Sequence, residues 1–328
     1  MPGMKEIKNR INSVSDTQKI TNAMYLIAST KLRKAKQDLD KTRPYFDSLR
    51  KEINRIFSVK SDIESIYFYP EGEGKRVMKD HKLQDLGMED YTEAVNDLEG
   101  TYGYLVITAD KGLAGAYNQN VIKEAINLMN QHEDNKLFVV GEAGRHYFDV
   151  HNIPIEESFL YTAQNPTLQR AAEISDILLQ LYKKGELTKL YIIYTDMKNS
   201  ICQDVCSARL LPFHRGDFSS KSGKAVKNEF EFVPSLNSVL DSIAPNYLTG
   251  FIYSALVDSF CCEQNARMMA MDSANTNAEK LLGELRLEFN HLRQNAITQE
   301  ITEVAAGAKA KRKKLEKEKL KRKKESGL

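Results

Sequence analysis

The sequence has 328 residues, of which 41% are hydrophobic and 28% charged, so it is long enough for about two domains with buried cores. No apolar run approaches the roughly eighteen residues of a membrane span, the first ten residues lack the apolar centre of a signal peptide, and four cysteines are too few for a disulfide scaffold. The formal net charge is only +2, but residues 309–328 hold eleven Lys or Arg against three Glu, a net +8, which leaves the other 308 residues at −6. A mildly acidic protein of a reducing compartment, ending in a strongly basic segment, is therefore predicted.

The first sixty residues carry the pattern of a long coiled-coil helix. Steps of four and three residues from Ile7 reach fifteen positions, of which twelve are apolar, where composition alone would give roughly six. The seam runs for about 75 Å at 1.5 Å per residue, and Pro44 is expected to kink it. Three seam positions are polar, which is typical of side chains that fix the register of a coiled coil: Gln18, Thr21 and Thr42.

The C-terminal third repeats this pattern. Pro245 is a suitable first residue for a helix. The apolar stripe then shifts by one position, from Leu281 to Leu282, because a straight helix does not match a strict 3.5-residue repeat. The recurrent small residues, Gly283 among them, would let another backbone approach closely. One such helix would be read as a core helix, but two at opposite ends of the chain favour an antiparallel coiled coil with both termini at its far tip.

The middle of the chain predicts a small α/β domain. Three short apolar runs, 104–108, 137–140 and 190–195, alternate with helical patterns at 118–130 and 167–183, which indicates a parallel sheet buried on both faces. Residues 201–211 follow a turn and predict an added antiparallel strand. The fold class is therefore α/β: a long antiparallel coiled coil of the N- and C-terminal helices plus a central Rossmann-like domain.

The predicted domain bounds follow from these patterns. Residues 1–57 with 245–308 form the coiled-coil shaft and residues 58–244 form the central α/β domain. The polar, acidic stretch 70–103 is read as a surface excursion of that domain, and residues 309–328 are the basic C-terminal tail.

Candidate catalytic and ligand sites are weak. The first strand-to-helix turn has Gly112 and Gly115 but lacks the third glycine of a dinucleotide fingerprint, so its glycines are read as allowing strand and helix to pack closely. Cys202, Cys206 and His214 do not have the spacing of a zinc site, and buried reduced thiols are the simpler interpretation. We expect no catalytic residues, no cofactor and no metal in this chain.

Several segments together resemble one family, the gamma subunit of the F-type ATP synthase. The stretch INSVSDTQKITNAMYLIASTKLRKAKQ is similar to the family's opening helix and ITADKGLAGAYN to its central glycine turn. The stretches NARMMAMDSANTNAEKLL and LRQNAITQEITEVAAGAKA are similar to its closing helix. The resemblance covers the chain to about Ala310, and the basic tail lies beyond it.

The resemblance implies a non-catalytic function. In this family the coiled coil is the central rotor shaft inside a ring of three alpha and three beta subunits, which bind Mg-ATP and Mg-ADP, and the α/β domain rests with the epsilon subunit on the membrane c-ring. Ion-driven rotation of the c-ring then drives the beta subunits through their binding states for ATP synthesis or hydrolysis. The implied location is peripheral, at the cytoplasmic face of a bacterial plasma membrane, with no direct membrane insertion and no nucleic-acid partner.

The resemblance also carries over five residues as contacts to the ring, none of them catalytic. Met24 lies on the opening helix, Arg267 in the Ala-Arg-Met stretch, and three more residues in the closing stretch: Gln294, Thr298 and Glu300. Two other functions stay open at this point. One is a nucleotide-binding α/β enzyme with helical arms, and the other is a non-rotary coiled-coil scaffold whose basic tail binds nucleic acid.

Overall fold

The computed structural model describes residues 3–59, 65–68, 100–160, 163–197, 203–213, 233 and 235–325. The elements along the chain are α1 (Met4–Val59), β1 (Tyr102–Ile107), α2 (Tyr117–Met129), β2 (Asn135–Val140), α3 (Glu142–Val150), β3 (Glu157–Phe159), α4 (Leu168–Lys183), β4 (Lys189–Met197), β5 (Gln203–Leu211) and α5 (Leu236–Glu325). Most of the predicted excursion at 70–103 lies outside the described residues. None of the described helices is both long and apolar enough to cross a bilayer.

The chain divides into two compact units. One consists of Met1–Met24 and Met271–Leu328, and the other is Tyr25–Ala270. Both α1 and α5 contribute residues to each unit.

The first unit is a pair of antiparallel helices. Gln18 Nε2 donates to Glu279 Oε1 at 3.4 Å, and Thr21 Oγ1 bonds to Asn275 Oδ1, so residue numbers fall along α5 as they rise along α1. Ile7 is fully buried in this pair. The two polar seam positions thus bond across the pair, which confirms the predicted antiparallel coiled coil.

The second unit is built on a five-stranded sheet in the order β3-β2-β1-β4-β5. The first four strands in this order are parallel and β5 runs antiparallel to β4, with Ile193 opposite Ser207. This is the strand order of a Rossmann-like sheet with an antiparallel edge. The predicted strands are present with bounds shifted by at most two residues, which confirms the predicted fold class.

Both faces of the sheet are buried because helices cover each of them. On one face, Tyr104 and Val106 of β1 pack with Val121 of α2 and Phe148 of α3. On the other, alternate residues of the same strands pack with α4, α5 and α1, in a cluster that includes Leu105, Ile107, Ile174, Leu178, Ile53, Ile56, Leu248 and Ile252. The near-continuous apolar sequence of the strands follows from this two-sided burial.

The two long helices also pair within the second unit. Thr42, the third polar seam position, hydrogen-bonds the side chain of Tyr253, whose pKa is raised chiefly by burial. A side-chain methyl added at Gly250 would collide with the ring of Phe46, so the backbone of α5 approaches α1 at this glycine. Every seam position of α1 whose side chain is described is buried or half-buried.

Several sequence-based expectations were wrong in detail. Pro245 does not start the C-terminal helix but lies inside α5, which begins at Leu236. Gly283 was expected to admit another backbone, but a side-chain carbon added there would meet no atom within 4 Å, and the close approach occurs at Gly250 instead. The short elements α3 and β3 were not predicted.

Candidate functional site

The natural place for a site in this sheet is the crevice beyond the carboxyl ends of β1 and β4. Doubly wound sheets bind their ligands where the strand order reverses, and here that point lies between these two strands. The residues that follow β1 are Thr108 to Ala116, a turn that leads directly into α2.

The crevice is filled by the chain's own C-terminal helix. The backbone N–H of Thr195, near the end of β4, donates to Ser259 Oγ of α5 at 3.3 Å. Further along the same helix, Cys262 is fully buried against Ala109, Ala114 and Tyr117. A segment of α5 therefore occupies the position that a bound ligand takes in related sheet topologies.

A buried arginine on the same face of α5 forms an ion pair within the helix and hydrogen bonds to the turn after β1. Arg267 Nη2 lies 2.7 Å from Glu263 Oε1, and the two side chains are 9% and 5% exposed. The same nitrogen donates to the carbonyl oxygens of Lys111 at 3.1 Å and Gly112 at 2.9 Å. One buried guanidinium thus joins the helix to the backbone of the turn, and we call Ser259, Cys262, Glu263 and Arg267 with their partners the sheet–helix joint.

Burial sets the protonation of this joint. Burial raises the pKa of Glu263 above its usual range, as does the nearby Asp110, while Arg267 and the more distant Lys31 oppose the shift. Burial likewise raises the pKa of Tyr117 well above its usual value, and the Glu263 carboxylate adds to that effect. Tyr117 therefore keeps its proton and serves as a neutral hydrogen-bonding group next to Ser259 and Thr195.

The acidic group of the turn is already engaged inside the fold. Asp110 Oδ1 accepts from the backbone N–H of Glu142, the first residue of α3, and Oδ2 accepts from that of Gln164, each at 3.1 Å. The chain's own carboxylate therefore occupies a helix N-terminus, which is a preferred position for an external anion.

The glycines of the turn do not have the role that the sequence suggested. An added side-chain carbon at Gly112 or Gly115 would meet nothing within 4 Å, so close packing of strand and helix does not require them, although Gly115 has a φ of +56° that favours glycine. The close approach lies at Gly141 and Gly144, which abut Thr108. Thr108 Oγ1 donates to Val140 O at 2.8 Å and accepts from the Gly144 N–H at 2.9 Å, joining β1, β2 and α3.

The tip of the turn presents an apolar side chain to solvent. Leu113 has a φ of 62°, in the left-handed region that non-glycine residues seldom adopt, and its side chain is 63% exposed. Such a conformation costs about 1 kcal/mol.

The five residues singled out as ring contacts occupy different environments. Arg267 is buried in the joint, and Met24 is half-buried. Gln294, Thr298 and Glu300 are exposed on two successive turns of α5, where Thr298 Oγ1 donates to the Gln294 carbonyl at 2.9 Å. Their contacts to partner subunits stay predictions.

Sequence reasoning missed the companions of Arg267. Ser259, Glu263 and Arg267 follow one another at intervals of four, which places three polar side chains on one face of the helix. That spacing was the available signal. The backbone carbonyls that receive Arg267 lie more than 150 residues away in sequence and leave no trace in it.

The described part of the chain contains no group of three or more His, Cys, Asp or Glu side chains arranged to hold a metal ion. Cys206, Cys261 and Cys262 are buried thiols. Cys202 and His214 lie outside the described residues.

Comparison with known proteins connects this architecture to one family. The family model described as ATP synthase matches residues 3–310. The ATP synthase gamma chain of Caldanaerobacter subterraneus is 39% identical over 319 residues, covering 93% of this chain and 99% of the relative, and that of Ruminiclostridium cellulolyticum is 36% identical over 313 residues, covering 94% and 98%.

Solved structures share the fold at lower identity. A chain of the Euglena gracilis mitochondrial ATP synthase (OSCP/F1/c-ring) superposes with a TM-score of 0.59 at 13% identity, covering 94% of each chain. A chain of the Tetrahymena thermophila mitochondrial ATP synthase central stalk and c-ring gives 0.52 at 23%, covering 78% of this chain and 99% of that one. The chain belongs to the gamma family of ATP synthase.

Proposed function

We propose that this chain is the rotor shaft that couples rotation of an ion-driven c-ring to the conformational cycle of catalytic beta subunits, and that it has no catalytic site of its own. The observation that carries this proposal is the sheet–helix joint. A torque applied to the α/β domain would reach α5 through buried polar contacts that resist sliding. The same helix continues without interruption into the coiled coil.

The pairing of α1 with α5 suits a shaft under torsion. Three polar seam side chains, Gln18, Thr21 and Thr42, each bond to α5. Such bonds favour one register, because a slip by one helical turn would break these side-chain contacts between the two helices. Apolar contacts alone would resist a slip less strongly, since they are not directional.

The proposed partners are a ring of three alpha and three beta subunits, the epsilon subunit and the c-ring. Met24, Gln294, Thr298 and Glu300 would contact the ring directly. Arg267 is buried, and we propose that it acts by positioning the turn that carries Leu113.

No cofactor is proposed for this chain, and Mg-ATP and Mg-ADP would be bound by the alpha and beta subunits. The support is that α5 and Asp110 fill the crevice in which a nucleotide would be sought. The proposed location is peripheral, at the cytoplasmic face of a bacterial plasma membrane, consistent with the bacterial relatives.

Co-purification and coupling measurements test the proposal. The tagged chain, isolated from native membranes, should bring two homologous ATPase subunits in equal amounts and a ring-forming membrane subunit. In vesicles holding that complex, Arg267→Gln should lower ATP-driven ion uptake relative to ATP hydrolysis, because the shorter, uncharged glutamine loses the ion pair with Glu263 and the bonds to the Lys111 and Gly112 carbonyls. Lys19→Ala, at an exposed ion pair, is the matched control. A chain that purifies alone, or a variant with unchanged coupling, would contradict the proposal.

A further inference from the structure

The turn after β1 is bonded to other elements at each of its first three residues. Thr108 bonds to β2 and α3, as described above. The Ala109 carbonyl accepts from the Ala143 N–H of α3 at 3.0 Å, and the Ala109 N–H donates to Asn118 Oδ1 of α2 at 2.9 Å. Asp110 is the third residue, and the two carbonyls that bind the guanidinium of α5 come directly after it. The backbone of the turn therefore lies between contacts to the sheet with its helices on one side and a contact to α5 on the other.

The Asp110 carboxylate joins this turn to helices on both faces of the sheet. Its oxygens accept from the N–H groups of Glu142 and Gln164, each at 3.1 Å. Glu142 is the first residue of α3, which packs on one face, and Gln164 lies four residues before the start of α4, which packs on the other. Hydrogen bonds to a carboxylate are about twice as strong as those between neutral groups. One side chain thus fixes the position of the turn relative to both helical layers.

The hold of Arg267 on the turn depends on how firmly the turn itself is fixed. Arg267 binds the backbone carbonyls of Lys111 and Gly112, so it reaches the sheet through the peptide chain that precedes them. Asp110 is the nearest anchor on that side, and on the other side comes Leu113, which is 63% exposed. Hydrogen bonds in series transmit a force only while each of them holds, and each weakens steeply when its geometry changes. A shift at Asp110 would therefore weaken the bonds of Arg267.

We propose that Asp110 is a positioning residue for the transmission of torque, holding the carbonyls of Lys111 and Gly112 where Arg267 binds them. This inference rests on the proposed function, because it requires that the α/β domain drive α5. The force would pass from α3 and the segment before α4 through the Asp110 carboxylate to the turn, and from the turn through Arg267 to α5. Asp110 acts here through Arg267 and not as a contact to the ring.

Two variants of Asp110 separate its hydrogen bonds from its charge. Asp110→Asn loses the charge and at least one of the two bonds, because an amide has a single acceptor oxygen. Asp110→Glu keeps the charge and both oxygens but places them one methylene further from the backbone. Amide hydrogen exchange of the full chain, resolved at Glu142 and Gln164, reports which bonds remain, and loss of a bond should speed exchange by about tenfold or more. Unchanged exchange of both amides in Asp110→Asn would overturn the proposal.

Coupling is then measured in vesicles that hold the assembled complex, as ATP-driven ion uptake relative to ATP hydrolysis. This ratio should follow the protection of the two amides and not the charge at residue 110, so a variant that loses protection at either amide should have a lower ratio. A normal ratio in such a variant would overturn the proposal, and so would a lowered ratio in Asp110→Glu with both amides still protected. Asp149→Asn, which removes a carboxylate from an exposed pair with Arg145 on α3, is the matched control and should leave the ratio unchanged.

A double variant tests whether Asp110 acts through Arg267. Arg267→Gln alone should lower the ratio but leave the amides of Glu142 and Gln164 protected, because those bonds lie on the sheet side of the turn. Adding Asp110→Asn to Arg267→Gln should lower the ratio no further, whereas two residues that stabilise the fold independently would give losses that add. Additive losses would overturn the positioning role. Asp110→Glu takes the place of Asp110→Asn in this pair if the asparagine variant does not assemble.

The outcomes also distinguish this inference from the proposed function. If Arg267→Gln lowers the ratio and Asp110→Asn does not, the inference fails and the proposed function stands. If Arg267→Gln leaves the ratio unchanged, or if the chain purifies without ATPase subunits, the proposed function fails and the inference fails with it.

Discussion

Two stretches of the same helix show opposite relations between composition and burial. Residues 258–267 of α5 include Asp258, Ser259, Glu263, Gln264, Asn265 and Arg267, and all of these are less than 9% exposed. Residues 297–317 include Ile301 and Val304, which are 65% and 74% exposed. The polar stretch is buried because its hydrogen-bonding partners come from the same chain, and the apolar side chains of the second stretch have no such neighbours in the described structure. Burial along this helix thus follows the available partners rather than local hydropathy.

The largest effect on stability is expected when Arg267, the cation of the buried stretch, is removed. Arg267→Ala should destabilise the protein by about 3–5 kcal/mol, because it leaves the Glu263 carboxylate buried without its counter-charge. Urea unfolding of the full chain, followed by circular dichroism, measures the loss. Lys19→Ala, which breaks an exposed pair with Asp16, should change stability by less than about 0.5 kcal/mol. Similar losses in both variants would show that burial of the Arg267 pair has no energetic consequence.

Substitutions at two glycines of α5 test the difference between a packed and an exposed position of this helix. Gly250→Ala places a methyl group against the Phe46 ring and should cost about 1–3 kcal/mol. Gly283→Ala meets no atom within 4 Å and should gain about 0.5–1 kcal/mol, because alanine favours the helix. The same unfolding measurement should therefore give changes of opposite sign. A loss at both positions would mean that the helix is packed along its whole length.

The pH dependence of stability tests the environment of Glu263. Its pKa in the folded protein is raised, so between the usual value of about 4.5 and the raised value the native state holds a proton that the unfolded state has lost. Stability should therefore fall as pH rises through this window. Glu263→Gln removes the titrating group, and the stability of this variant relative to wild type should increase with pH there and then level off. A pH-independent difference would contradict the burial argument.

The smallest expected effect lies in the exposed stretch. Ile301→Ser should alter the stability of the isolated chain by less than about 0.5 kcal/mol, since the side chain is 65% exposed. In the assembled complex the same change should reduce ATP-driven ion uptake relative to hydrolysis if this face contacts the ring. Glu284→Gln, on an exposed position of the same helix, controls for a general effect of surface changes. A clear loss of stability in the isolated chain would show an intrachain partner.

Long, repeated patterns made most of the fold predictable. The apolar seam of α1 extends over seven heptads, so the burial of Ile7, Ala28 and Ile53 followed from spacing alone. The buried strands were visible for the same reason. The short elements were not, because α3 has nine residues with a glycine inside, and β3 has only three residues, which pair with β2. Pro245 misled the prediction of the helix start because packing of Leu240 and Ala244 outweighs the local cost of proline.

The candidate site was less predictable than the fold. Arg267 was identified through a family resemblance, but the prediction of a partner contact did not include its bonds to the chain's own turn. Those bonds depend on tertiary structure, since the turn carbonyls are distant in sequence and any backbone could supply them. Gly112 and Gly115 were assigned a packing role that belongs to Gly141 and Gly144, because sequence shows a glycine but not its neighbours.

The occupied crevice has a consequence for how firmly the sheet–helix joint can hold. A diffusible ligand in such a crevice leaves at a rate set by its own affinity, but the occupying segment of α5 is joined to the rest of the chain at both ends. Its effective concentration at the crevice is therefore always high, and each modest contact re-forms as soon as it breaks. In other doubly wound sheets a ligand binds in this crevice and leaves again. Here a segment of α5 stays in the crevice, so the crevice serves as a fixed mechanical attachment between sheet and helix.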